Sequence, residues 1–315
     1  MATSDRPRRR MTIPLAILGI LALAVVALWI AIRVNGPAVL DTVDRIAGWS
    51  RDVERVETHR YGNAPTQTVS VHRPAGGRDD TALPILVFVH GGSWATGDPA
   101  HYNFIARALA PDGFIVALAG YRLGESGRYP AMLEDTAAAI GWVRANAARL
   151  GGDPDRILLA GHSAGAYNVV QAALEPRWLE AEGVPPQAIR GVIGLAGPYD
   201  FYPLDKPSTK AAFGNAPDGE ATQPVNHVRS DAPPMLLMTG LDDTTVKPRN
   251  TRALAARLEE ADAEVEAHYF KDMDHTRILL EMADPWSRSG RTLGPMRAFL
   301  TRIDAASVPV QRKTR

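Results

Sequence analysis

The sequence predicts an α/β fold in which a mostly parallel central sheet is covered by helices on both faces. Three observations carry this. Short runs of β-branched and aromatic residues, apolar at nearly every position, recur from about residue 68 to residue 270; such runs suit strands buried on both faces. Segments with apolar residues on helical spacing lie between them. The two kinds of segment alternate, which is the pattern of strand–helix–strand units.

Arg6, Arg8, Arg9 and Arg10 precede an uncharged run from Met11 to Ile32, closed by Arg33. About 20 apolar residues suffice for a helix to cross a bilayer, and arginines ahead of the span favour a cytoplasmic N-terminus. Residues 1–10 are therefore expected as a basic segment and 11–33 as an uncleaved transmembrane signal anchor. The body would then lie on the non-cytoplasmic side, partnered with a membrane through this helix. A cleaved signal peptide competes, with Ala22 and Ala24 at a small-residue site, but such h-regions run about 7–15 residues. Cleavage there would also leave Val25–Ile30 as an exposed apolar terminus. Residues 34–60 are expected as a juxtamembrane linker, with a helix over Val39–Trp49.

The body is expected over 61–304. Thr68–His72 alternates as a strand. Continuous apolar runs at Pro84–Val89, Phe114–Leu118, Arg156–Ala160, Gly191–Leu195 and Met235–Met238 follow, and Val265–Phe270 reads as the last strand. Leu133, Ile140, Val143 and Leu150 recur on helical spacing within 132–150, and Leu254 and Leu258 within 249–261. Residues 198–233, rich in Pro, Gly, Asn and aromatics, break the rhythm after a strand end. Active-site loops of open α/β sheets lie at such ends, so this stretch is expected as a small cap or lid. Residues 305–315 are expected as a solvated tail.

Composition removes several function classes. The 35 basic and 35 acidic residues balance, and no basic stripe runs through the body, so no nucleic-acid partner is expected. The chain has no cysteine. Disulfides, thiolate metal sites and cysteine nucleophiles are thereby excluded.

The strongest chemical signal is G-x-S-x-G at Gly161-His162-Ser163-Ala164-Gly165, after an expected strand and before an expected helix. A serine in a sharp strand-to-helix turn exposes its hydroxyl, and the small flanking residues let neighbouring backbone approach. The amide of Ala164 opens the helix and can donate to a developing oxyanion. A second signal, His90-Gly91-Gly92-Ser93-Trp94, directly follows the strand 84–89. The paired glycines expose amides of the same use, so Gly91 and Gly92 join Ala164 as candidate oxyanion donors.

With these motifs the chain resembles the α/β-hydrolase superfamily, in its esterase/lipase group with an HGG-type oxyanion motif. The resemblance rests also on Tyr61-Gly62, Tyr121-Arg122-Leu123, Tyr129-Pro130 with Glu134-Asp135, Gly151-Gly152-Asp153-Pro154 and Gly240-Leu241-Asp242-Asp243, and covers about residues 60–300. Ser93 stands where hormone-sensitive-lipase-like members usually carry a third glycine, which makes the feruloyl-esterase-like branch the closer fit. The resemblance implies an α/β-hydrolase fold and a triad in the order Ser, Asp, His. Two carboxylates follow the strand 235–238, and the family pattern G-x-x-D-x-x-V falls on Asp243 with Val246 in register. Of the eight histidines, His275 follows both Asp243 and the last strand, as the triad order requires. Glu134 and Asp135 match the family pattern and are read as structural helix residues, with Arg122 paired to a carboxylate.

The activity so implied is hydrolysis of small-molecule carboxylic esters of small or medium acyl groups by Ser163, Asp243 and His275, with no cofactor and no metal. Trp94, Tyr199, Phe201 and Tyr202 are candidate residues for lining the acyl or alcohol pocket. An amidase or peptidase on the same scaffold, or a non-catalytic binding domain, are the alternatives; the last predicts a broken triad.

Overall fold

A computed structural model describes residues 12–48, 52–76 and 82–307. Eight strands form one sheet: β1 (Val53–Arg60), β2 (Thr68–Pro74), β3 (Leu83–Val89), β4 (Ile115–Ala119), β5 (Gly152–His162), β6 (Ile189–Leu195), β7 (Met235–Gly240) and β8 (Val265–Phe270). Their spatial order is β1-β2-β4-β3-β5-β6-β7-β8. β1 and β2 run antiparallel, and β2 pairs antiparallel with β4; from β4 onward every pairing is parallel.

The helices are α1 (Thr12–Ala47), α2 (Asn103–Leu109), α3 (Ala131–Ala145), α4 (Ala147–Leu150) and α5 (Ala164–Leu174), then α6 (Arg177–Ala181), α7 (Pro207–Phe213), α8 (Arg249–Glu260), α9 (Arg277–Leu280) and α10 (Leu293–Ser307). The expected helix over 132–150 is two, α3 and α4.

The apolar runs follow from the two-sided burial of the sheet. Alternate residues of β3 face opposite cores: Ile85, Val87 and Val89 pack with α3 and α5 residues such as Ile140 and Val169. Leu86 and Phe88 pack with Ile105, Leu109, Met296 and Phe299 on the other face. Burying one such side chain contributes about 1.5–3 kcal/mol, so both faces of the central strands select apolar residues.

The N-terminal stretch departs in part from expectation. Among the described residues no single helix is long and apolar enough to cross a membrane; a pair, Val26–Ile32 and Val34–Ala47, has the length and composition together but is bent by 108°. Asn35 breaks the helical backbone inside α1 (φ −152°, ψ 77°). The stretch expected as a linker, 34–60, belongs to the body. Leu40 is buried in the core. Arg107 of α2 pairs with both Asp41 and Asp44 of α1, and Asp44 Oδ1 accepts from the amide of Asp284 at 2.6 Å. Residues 53–60 form the edge strand of the sheet. The 305–315 tail is also shortened, since α10 continues to Ser307. The basic segment 1–10, Trp49 and the tail from 308 onward lie outside the described residues.

Candidate active site

The sheet order places the site. From β3 the chain moves one way to β4 and then returns past β3 to β5, so the C-terminal ends of β3 and β5 flank a reversal of winding, where open α/β sheets bind ligands. The loop 90–94 leaves β3 there, and Ser163 leaves β5.

Ser163 holds φ 54° and ψ −120° between the end of β5 and the start of α5. A non-glycine residue so held costs about 1–3 kcal/mol and persists only when its surroundings over-determine it. Here its amide donates to Leu195 O at 2.8 Å, and its carbonyl accepts from Tyr167 N at 3.1 Å. Gly165 is needed for close approach: a Cβ there would lie 2.1 Å from Val89 O. The first turn of α5 therefore presses on the end of β3.

Three loops bring three side chains into line. His275 Nε2 lies 2.9 Å from Ser163 Oγ. Its Nδ1 lies 2.7 Å from Asp243 Oδ2. The other carboxylate oxygen of Asp243 accepts from the amides of Thr245 and Val246, each at 2.8 Å. An ionised carboxylate only accepts, so His275 carries its proton on Nδ1 and leaves Nε2 free to accept from the serine hydroxyl. Asp243 is buried, whereas Asp242 is exposed; of the two carboxylates it is Asp243 that meets His275.

The glycine loop lies against the turn of Ser163. A Cβ on Gly91 would sit 3.1 Å from Ser163 Cβ. Gly92 takes φ +126°, closing a turn in which its carbonyl accepts from Ala95 N and Thr96 N at 3.0 Å. Neither glycine amide donates within the loop hydrogen bonds among the described residues. The amide of Ala164, first residue of α5, has no intrahelical acceptor. Trp94 Nε1 donates to Asn168 Oδ1 of α5 at 3.0 Å, which ties the loop to the helix behind Ser163.

Ser163 and Ala164 open onto a cavity of about 200 Å³ whose walls include Ser93, Trp94, Phe201 and Val246. Phe201 comes from the 198–233 stretch, which also lends Pro198, Asp205, Lys206, Ser208 and Thr209 to the cavity lining. Tyr199 does not line this cavity, contrary to expectation. It is fully buried, its hydroxyl end lodged where Cβ atoms on Gly194 and Gly197 would stand. Tyr202 is exposed and also stands apart from the cavity.

Sequence reasoning missed His162. Its Nε2 lies 3.1 Å from the carbonyl of His275, and the two rings sit 4.9 Å apart. Burial, aided by the nearby His275, pushes its pKa down to about 3, so it is neutral and can donate from Nε2 to that carbonyl. Its place beside the nucleophile was the available signal. His90, also neutral with its pKa pushed down to about 4 by burial, stacks on Tyr121 at 4.8 Å. Arg122 pairs with buried Asp135 at 2.7 Å, and Gln67 donates to the same carboxylate at 2.9 Å; this network braces the loop after β4.

The chain is similar to isoprenylcysteine alpha-carbonyl methylesterase ICME of Arabidopsis thaliana, 28% identical over 242 residues, covering 70% of this chain and 56% of that protein. It is 29% identical to esterase LipC of Mycobacterium tuberculosis over 217 residues, covering 63% and 53%. The chain thus spans about half the length of these curated relatives. Among solved structures, esterase B from Lactobacillus rhamnosis superposes with a TM-score of 0.72 at 21% identity, over 89% of this chain and 96% of that one. This likeness shows the α/β-hydrolase fold. The BD-FAE family model matches residues 70–258, a stretch holding the glycine loop, Ser163 and Asp243 and ending before His275. Spanning more than half of the chain, that match shows that the protein belongs to the BD-FAE family of α/β-hydrolases.

Proposed function

We propose that the protein is a serine-type carboxylic-ester hydrolase acting on small-molecule esters of small or medium acyl groups. The observation that carries this is the continuous hydrogen-bonded line from Asp243 through His275 to Ser163. Ser163 attacks the ester carbonyl carbon while His275 Nε2 takes the hydroxyl proton. Asp243 holds the imidazole in the required tautomer and offsets the charge that forms on it. The amides of Gly91, Gly92 and Ala164 receive the oxyanion. The alkoxide leaves with the proton from His275, and an acyl-enzyme remains. Water, deprotonated by the same histidine, then releases the acid.

The names of the relatives support ester over amide cleavage, since a methylesterase and an esterase are among them. The cavity of about 200 Å³ supports a short acyl or alcohol part, drug-sized ligands needing about 300–1,000 Å³. The uncharged run Met11–Ile32 after four arginines supports a membrane-held protein with its body on the non-cytoplasmic side; extraction into carbonate wash would overturn that part alone.

The test is a chain-length series of p-nitrophenyl esters, with a p-nitroanilide beside it, on wild type and Ser163→Ala. A fluorophosphonate probe runs in parallel. Ester turnover and labelling that vanish together in Ser163→Ala are expected. An unlabelled, inactive wild type would sink the enzyme reading, and faster anilide than ester turnover would favour an amidase.

A further inference from the structure

The cavity on Ser163 has a charge pattern that the triad does not use. Its lining residues include Lys206, Lys247 and Arg249, with a single carboxylate residue, Asp205. Trp94 and Phe201 are its aromatic lining residues. Lys206 and Asp205 come from the stretch just before α7. Lys247 and Arg249 come from the loop that follows Asp243 into α8. Two separate chain segments thus bring cations to one mouth.

The partners of these cations leave their charge largely unmatched. Lys206 donates to the carbonyl of Thr245, a neutral acceptor that fastens the two segments together. The ammonium keeps its positive charge and its two other protons. Arg249 stands 3.7 Å from Asp200, an exposed and loose pair. Lys247 has no ion-pair partner among the described residues, and neither does Asp205. Three cations therefore face one carboxylate in the cavity and one beside it. A cleft lined by one sign of charge concentrates the opposite sign of ligand.

We infer that the substrate carries an anionic group, a carboxylate or phosphate, on the part of the ester that occupies this cavity, held by Lys247 and Arg249. This rests on the ester-hydrolase reading above. The aromatic residues take the short carbon chain, and the cationic residues take its charged end.

The experiment compares matched pairs of esters. On the acyl side, mono-p-nitrophenyl glutarate is set against p-nitrophenyl valerate. On the alcohol side, 4-acetoxybenzoate is set against 4-acetoxybenzamide. The readout is the ratio of kcat/KM, anionic over neutral, after subtraction of uncatalysed hydrolysis. In wild type at low salt one pair should favour the anion by about fivefold, the upper end of what an exposed ion pair supplies. The preference should shrink as ionic strength rises. Lys247→Glu and Arg249→Ala should each abolish or invert it, and Lys247→Arg should retain it. A ratio at or below one in both pairs, or a preference that survives Lys247→Glu, would overturn the inference while leaving the hydrolase intact. Absence of turnover of all four esters, with no fluorophosphonate labelling, would instead sink the hydrolase reading on which it stands.

Discussion

Replacing Asp243 by Asn tests the role of the acid more sharply than deleting it. The two backbone amides of Thr245 and Val246 donate to Oδ1 of Asp243. An asparagine there must turn its carbonyl oxygen toward those donors, because its NH₂ cannot accept. The NH₂ then faces His275 Nδ1 in place of the carboxylate oxygen that now lies 2.7 Å away. A donor opposite Nδ1 makes that nitrogen the acceptor and moves the ring proton to Nε2. His275 then has no lone pair to take the proton of Ser163, 2.9 Å away. In serine hydrolases a wrong-tautomer histidine lowers kcat by about 10⁴, which is about 5.4 kcal/mol in the barrier. Thermal stability should change little, since the two amide bonds to position 243 persist; Asp243→Ala would orphan them and mix folding with catalysis. Steady-state hydrolysis of p-nitrophenyl butyrate, with active-site titration and a melting curve, measures all of this. The reasoning fails if Asp243→Asn keeps kcat within tenfold of wild type, or if Asp242→Asn loses as much.

Gly92→Ala should lower kcat by about 10²–10³, the usual cost of one oxyanion donor, because a Cβ at φ +126° would stand 1.9 Å from Thr96 O and push the loop aside; unchanged kcat with normal folding would refute the assignment. Arg107→Met should destabilise the fold by about 3–5 kcal/mol in urea unfolding, since it strands Asp41 and the buried Asp44, and adding Asp44→Asn should recover part of the loss. Stability should also fall in mild acid. Burial holds the pKa values of His72 and His90 down to about 4, and that of His162 to about 3, against an unfolded value of about 6.5. Below pH 6.5 the unfolded chain takes up protons that the folded one refuses, so unfolding grows easier as pH falls, down to about 4 for the first two and about 3 for the third. Each contributes about 1.4 kcal/mol per pH unit. Urea midpoints at pH 7.0, 5.5 and 4.5 measure this, and His72→Gln should remove about a third of the histidine slope; a flat profile would count against it.

The strands on the central part of the sheet were legible because both their faces are buried, which leaves no polar position to blur the run. β1 was not, and its sequence shows why. Val-Glu-Arg-Val-Glu-Thr-His-Arg lies at the sheet edge with every position exposed or only partly buried. Charged residues on an edge strand guard it against further pairing, and the same charges make it read as a linker. The choice between Asp242 and Asp243 needed tertiary burial as well as spacing. Tyr199 and Phe201 look alike in the sequence, two residues apart in one aromatic stretch. Only the packing separates them, with Phe201 on the cavity and Tyr199 lodged under the sheet end. The bond from His162 to His275 joins residues 113 apart and has no periodic signature.

The alignment of Ser163, Asp243 and His275 depends on backbone that carries none of them. At the C-terminal edge of the sheet Ser163 N donates to Leu195 O, Ala196 N to Met238 O, and Leu241 N to Phe270 O, each at 2.8 Å. Asp242 N then donates to Met273 O at 3.1 Å. These bonds run in sequence across β5, β6, β7 and β8, from the loop of Ser163 to the loop of Asp243 to the loop of His275. His162 adds a direct brace from the nucleophile turn to the carbonyl of His275. The strand β6 supplies no triad residue, yet it carries the middle link, and Ala196 holds φ 48° there to make it. Parallel pairing with fixed register leaves each link a single partner. A shift of β6 by one residue would separate Ser163 from Asp243 and His275 while leaving every side chain of the triad in the chain. The spacing of the three loops is thus a property of the sheet, and the strained turn at Ser163 is tolerated because that sheet is buried on both faces.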